Sequence, residues 1–275
     1  MRITNQVTKC VGFISRDTEP LSYAGTVFFV GVPFDERSGV LHIVTAKHVA
    51  DAVGTNDFVI AVNSKDGLPR FMKNGGDVRW FFHPDDESVD VAVMPLASAR
   101  AFDYDIQHIP LQLFATDAVI AEHGIGLGDE VVIVGLFTGY FGLSRLIPIV
   151  RTGNIAMMPD ETIPTEMGNM EAYLAEGRSI GGLSGSPVFC RSTVRMPAQT
   201  AHGEPALISG LGPIHFLGLM HGHWDLPSSF DESERREAVN MGVSIVVPAK
   251  KILEVINGPE LRELREKAFQ RTAPE

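Results

Sequence analysis

Short runs rich in Val, Ile, Phe and Thr recur along this chain, each closed off by Gly, Pro, Asp or Asn, and almost none carries a helical period. No other feature constrains the fold as strongly. β-Branched and aromatic residues suit a half-buried pleated surface, and turn residues at short intervals return the chain for antiparallel pairing. The runs are Gly25–Val32, Gly39–Thr45, Asp57–Asn63, Val89–Met94, Glu130–Phe137, Ile147–Ile155, Pro187–Cys190, Ile214–Met220 and Met241–Val247. Many strands joined by turn chemistry predict an all-β sandwich or barrel. The 275 residues suffice for one large β domain or two small ones.

Three segments break the rhythm. Asp103–Ala121 separates two sets of strands and is expected to connect two β-subdomains. Arg191–Gly212 and His223–Asn240 read as surface excursions, the second with a helix-favouring run at Asp231–Val239. After Pro248 the period changes. Apolar residues at 252, 253, 255 and 256 predict an amphipathic helix over Ala249–Ile256. Asn257-Gly258-Pro259 stops it and starts another, in which Leu261, Leu264, Ala268 and Phe269 recur at helical spacing.

Charge narrows the partners. A formal net charge of −11 lacks the basic footprint that nucleic acid requires. No apolar stretch of about 18 residues exists to span a membrane, and no signal peptide is visible in the first residues. A soluble cytoplasmic protein is the expectation, with oligomeric state left open. Cys10 and Cys190 stand far apart among apolar neighbours and read as buried free thiols, because a stapled secreted domain carries more cysteines.

Three local patterns carry chemistry. Thr45-Ala46-Lys47-His48 ends an apolar strand, where a histidine can present a ring nitrogen to a cleft. Asp90 opens Asp90-Val91-Ala92-Val93-Met94, and a carboxylate there can accept the second ring N–H of a histidine. Gly181-Gly182-Leu183-Ser184-Gly185-Ser186-Pro187 surrounds a serine with glycines that permit unusual backbone angles. Such a loop can turn the N–H groups of Gly182 and Ser184 toward one point, as an oxyanion requires. Singly, each has a plainer reading: a structural histidine, a turn aspartate, a Gly-Ser turn.

Together, in the order His, Asp, Ser, they resemble the chymotrypsin-like (trypsin-fold) serine peptidases, whose segments TAxH, D-[IVL]-A-[LV] and GxSG[GS]P read here TAKH, DVAV and GLSGSP. Gly128–Gly135 is similar to an early strand of the second barrel in bacterial members, and Gly242–Pro248 to the last strand before their C-terminal helix. The resemblance implies two six-stranded antiparallel β-barrels followed by C-terminal helices. The first barrel would span 1–105 and carry His48 and Asp90. The second would span 106–248 and carry Ser184, with helices over 249–275. It implies a serine endopeptidase acting on protein or peptide substrates: Ser184 as nucleophile, His48 as base, Asp90 as orienting acid, the N–H groups of Gly182 and Ser184 as oxyanion hole, and no metal or cofactor.

The pattern also departs from the family. Leu183 stands where animal digestive members carry the aspartate that pairs with a freshly cut N-terminus, so that activation route is not expected. A bacterial stand-alone peptidase, or an HtrA-type peptidase domain without PDZ, is the nearer likeness. Arg178, six residues before the serine, and His221, Gly222 and His223 on the substrate-pairing strand are the candidate substrate-binding residues. Arg178 with the histidines would select an acidic side chain; the plainer reading has Arg178 in solvent or paired with Glu176. Two rival functions use the same fold, a catalytically silent or latent binding module and an esterase. The α/β-hydrolases are set aside because their triads run Ser, acid, His.

Overall fold

A computed structural model of the chain describes residues 4–34, 39–55, 58–73, 79–96, 103–177, 181–193, 196–199, 205–208, 212–226 and 239–272. Seven strands build the first sheet: β1 (Val11–Arg16), β2 (Ser22–Pro33), β3 (Gly39–Thr45), β4 (Phe58–Asn63), β5 (Pro69–Lys73), β6 (Ala92–Leu96) and the short β7 (Ile109–Pro110). Its antiparallel order is β5-β4-β1-β2-β3-β6, with β7 parallel on β2. Two short helices belong to this half, α1 (Asn5–Thr8) and α2 (Lys47–Val53).

A helix, α3 (Asp117–His123), then leads into β8 (Glu130–Gly135), β9 (Ile149–Met157), β10 (Thr162–Thr165), β11 (Gly168–Glu171), β12 (Tyr173–Glu176), β13 (Pro187–Arg191), β14 (Met196–Gln199), β15 (Pro205–Ile208), β16 (Ile214–Leu226) and β17 (Val239–Pro248). Six of these close into a barrel, β12-β17-β16-β13-β8-β9, while β10-β11 and β14-β15 form separate hairpins. The all-β architecture expected from the strand pattern is present. The expected helical run at 231–239 falls largely on residues outside those described.

Two helices end the chain, α4 (Ala249–Ile256) and α5 (Pro259–Thr272). On α4 the apolar stripe does what its spacing predicts, with Ile252, Val255 and Ile256 buried against the sheets. On α5 the spacing misleads. Leu261 is buried but Leu264 is 43% exposed, and the next buried position belongs to Arg265. Its guanidinium donates to the carbonyl of Ile256 and so satisfies the end of α4.

One cluster of buried residues joins the two sheets, and the barrel holds a second cluster of its own. Phe216 of β16 meets Phe28 of β2, Phe114 and Phe189 at ring-centroid distances of 5.3, 4.7 and 5.8 Å. Asn63 at the end of β4 ties across to the second half through both amide atoms, donating to the Leu146 carbonyl and accepting its N–H at 2.8 and 2.9 Å. Among the described residues no helix is long and apolar enough to cross a membrane.

Candidate active site

Strand register brings the first two candidates together. Antiparallel pairing of β3 with β6 sets Thr45 opposite Ala92. Residues just after Thr45 therefore face residues just before Ala92, which are Val91 and Asp90. His48 is the second residue of α2 and lies beyond the strand end at Thr45, and Asp90 precedes its strand by two residues instead of opening it. Helix α2 has no side-chain cap from Ala46. Asp90 supplies the missing acceptor: its Oδ1 takes the backbone N–H of His48 at 3.0 Å. Its Oδ2 takes the same residue's Nδ1 at 2.8 Å.

A third contact was not foreseen from the sequence. His221 Nδ1 lies 2.5 Å from the same Oδ2. Asp90 is fully buried, while the side chains of His221 and His48 are 16% and 41% exposed. Burial alone would raise the Asp90 carboxyl, but hydrogen bonds from His221 and His48 outweigh it and hold the group well below the usual carboxylate range. An ionised carboxylate only accepts, so both rings must carry their proton on Nδ1. Each then keeps Nε2 for other work. The rings stand edge to face, with centroids 5.5 Å apart.

These three side chains also bring metal-ligand types of atom within 4.8 Å of one another. Donors around one tetrahedral ion at about 2.0–2.1 Å stand about 3.3 Å apart. Separations of 2.5 and 2.8 Å are those of a hydrogen-bonded carboxylate.

The serine loop is held from both halves. Thr26 N–H donates to the Ser184 carbonyl and Thr26 Oγ1 donates to the Gly182 carbonyl, each at 2.9 Å, while the same Oγ1 accepts the Leu136 N–H. Thr45 Oγ1 in turn donates to the Thr26 carbonyl at 2.7 Å. From β16, the Met220 carbonyl accepts Gly185 N–H and Met220 N–H donates to the Ser186 carbonyl, both at 2.8 Å. Neither threonine was singled out from sequence, because a Thr inside a strand run looks like ordinary β-propensity.

Two glycines are needed here for different reasons. Gly182 has φ +97° and Gly185 has φ +82°, angles that side-chain-bearing residues rarely adopt. At Gly185 there is also no room. A Cβ would lie 2.2 Å from the Thr26 carbonyl and 2.3 Å from Thr45 Oγ1. Close approach of Gly185 to Thr45 and Ala46 seats the serine loop against the start of the helix that carries His48.

Ser184 is half-buried, and its Oγ forms no hydrogen bond among the described residues. The N–H groups of Gly182 and Ser184 likewise meet no acceptor among them. Ser186 differs from Ser184 in being fully buried, with its Oγ packed over Gly135. Of the expected substrate-binding residues, Arg178 lies outside the described residues and Gly222 sits on β16 with open space beside its Cα. His221 has one ring nitrogen committed to Asp90, which leaves only Nε2 for a substrate. Cys10 and Cys190 are free and buried. Burial pushes the Cys10 thiol far up and, with Asp129 nearby, the Cys190 thiol up to about 12, so neither is a nucleophile.

No family model and no curated protein matches the chain. Among solved structures it is similar to the MamO protease domain from Magnetospirillum magneticum in its apo form. The two are 12% identical with a TM-score of 0.54, over 91% of this chain and 97% of that one. The chain has the trypsin-like peptidase fold. The active form of the Rv3671c protease from M. tuberculosis also matches, at 15% identity and a TM-score of 0.48, over 91% of this chain and 80% of that one. At such identities the trypsin-like likeness is one of fold, and the chemistry has to be argued from this chain's own residues.

Proposed function

We propose that this chain is a serine endopeptidase that works through an acyl-enzyme. Ser184 Oγ attacks the peptide carbonyl, and His48 takes its proton and passes it to the leaving amine. Asp90 holds the imidazole in the Nδ1–H form and stabilises the imidazolium. The N–H groups of Gly182 and Ser184 receive the oxyanion. The reading rests on one observation above the others: Asp90 grips His48 twice, through the backbone N–H and through Nδ1, and so fixes both the position and the tautomer of the ring. Cleavage of an unfolded protein such as reduced casein tests it. Wild type should cut, and Ser184→Ala and His48→Ala should each be inert while remaining folded. Equal cutting by all three would remove the reading.

A second reading, a latent module that becomes competent when a partner or substrate docks, is favoured by Ser184 Oγ, which forms no hydrogen bond among the described residues. A lag in product formation, shortened by added peptide ligands, would distinguish it from a constitutive enzyme.

A further inference from the structure

Away from the serine loop, two further histidines meet. His123 ends α3 and is half-buried, and His215 is the second residue of β16 and only 6% exposed. Local structure brings them together. The Ala115 N–H donates to the Phe216 carbonyl at 2.9 Å, which lays the chain before α3 along the start of β16. Ile120, one turn before His123 on the same face of α3, packs on the barrel's core cluster. The two rings then stand with centroids 4.5 Å apart, inclined by 39°.

Both ring nitrogens of His215 are buried without a hydrogen-bond partner, so the rings do not bond to each other. His123 likewise forms no hydrogen bond among the described residues. An imidazole buried in this way gives up its bonds to water without replacement. Two neutral imidazoles each offer a nitrogen lone pair, and one metal cation satisfies both. Glu122 is exposed and near enough to His215 to act on its charge, so negative charge lies beside the pair. The spacing agrees. A nitrogen ligand at about 2.0–2.1 Å puts its ring centroid about 3.2 Å from the metal. Two such rings at about 90° have centroids about 4.5 Å apart, against about 5.2 Å at the tetrahedral angle. The observed 4.5 Å matches the right-angled arrangement, which Cu2+ and Ni2+ adopt in tetragonal sites.

We propose that His123 and His215 form a two-histidine site for a divalent transition cation of the Cu2+ or Ni2+ type, which clasps α3 to the start of β16. No third Cys, His, Asp or Glu completes a cluster with them among the described residues, so water fills the remaining positions. His221 lies six residues further along β16, about 20 Å at the rise of a strand. The site is therefore separate from the Asp90 histidines and independent of the peptidase reading.

The probe is Cu2+, added to the full chain at one equivalent in a buffer that does not chelate it. Electron paramagnetic resonance should show a tetragonal centre coupled to two imidazole nitrogens, and the thermal midpoint should rise with Cu2+ concentration. His123→Gln should lose one nitrogen coupling and weaken binding by at least about tenfold, a loss that removal of a ligand's supporting group alone can cause. His215→Gln should do the same; if the buried position does not tolerate the change and the variant unfolds, His123→Gln decides. His48→Ala should bind Cu2+ as wild type does. A two-nitrogen signal that survives His123→Gln would place the metal elsewhere, on the Asp90 cluster if His48→Ala abolishes it, and overturn the proposal. A wild type that gives no such signal would mean that the pair holds water only, and would overturn it as well.

Discussion

Thr26 Oγ1, from the second strand of the first sheet, donates to the carbonyl of Gly182 in the second barrel at 2.9 Å. Because the same oxygen accepts Leu136 N–H, one hydroxyl ties the serine loop to both halves. Thr26→Val keeps the shape and removes both bonds, leaving a half-buried carbonyl and a buried N–H unpaired. The expected cost is about 1–3 kcal/mol of stability by urea titration, with a fall in kcat larger than any change in KM. Thr26→Ser should restore both. Wild-type stability and kcat in Thr26→Val would show that the loop does not depend on this hydroxyl.

Gly185 combines φ +82° with contacts at which a Cβ would lie 2.2 Å from the Thr26 carbonyl. Gly185→Ala is therefore expected to destabilise by about 1–3 kcal/mol through backbone strain alone, and to displace Ser184 from the helix that carries His48. Thermal unfolding with parallel rate measurement checks this. Unchanged activity would mean that the loop tolerates a shift that its contacts disallow.

Ser186 separates accessibility from motif. Its Oγ is buried and has no hydrogen-bond partner among the described residues. Removing an unsatisfied buried hydroxyl carries little penalty, so Ser186→Ala should hold or raise stability by up to about 1 kcal/mol. On the proposed reading its activity should stay close to that of wild type, whereas Ser184→Ala should be inert. A dead Ser186→Ala would move the chemistry to the wrong serine.

Acid should weaken the fold before the carboxylates titrate. Burial, aided by the nearby Arg265 guanidinium, lowers His42 from 6.5 to about 4 in the folded chain. The unfolded chain thus binds the proton first, so this contribution is whole above about 6.5 and is lost as pH falls toward about 4. Urea midpoints measured from pH 7 to 4 should fall, and His42→Leu should flatten the fall. Burial lowers His215 in the same sense, so a residual slope is expected. Asp90 contributes at still lower pH, below the ordinary carboxylate range, where its depressed ionisation is finally reversed. An equal slope in wild type and His42→Leu would assign the acid sensitivity elsewhere.

Much of the barrel architecture was legible because the strands that build it are long and apolar. The second half of Gly39–Thr45 and nearly all of Glu130–Gly135 are buried residue after residue, so apolar runs mark them. Tyr173–Glu176 closes the barrel yet has only four residues, two of them apolar core, and such brevity leaves no pattern to read. The same holds at the site. His48 and Asp90 stood out through their order along the chain more than through their local motifs, and the β3–β6 register is what brings the two segments side by side. His221 was placed with the substrate because its strand was recognised while its partner was not. Its bond to Asp90 spans 131 positions and depends on the serine loop seating β16 against α2, which no local pattern encodes.

The most direct measurement is the mass of the protein after exposure to a fluorophosphonate, with the adduct mapped by peptide digestion. A serine activated by the Asp90–His48 pair should take one adduct, on Ser184, that vanishes in Ser184→Ala and forms far more slowly in His48→Ala. An unmodified wild type under conditions that label a control peptidase, or an adduct on Ser186, would contradict it.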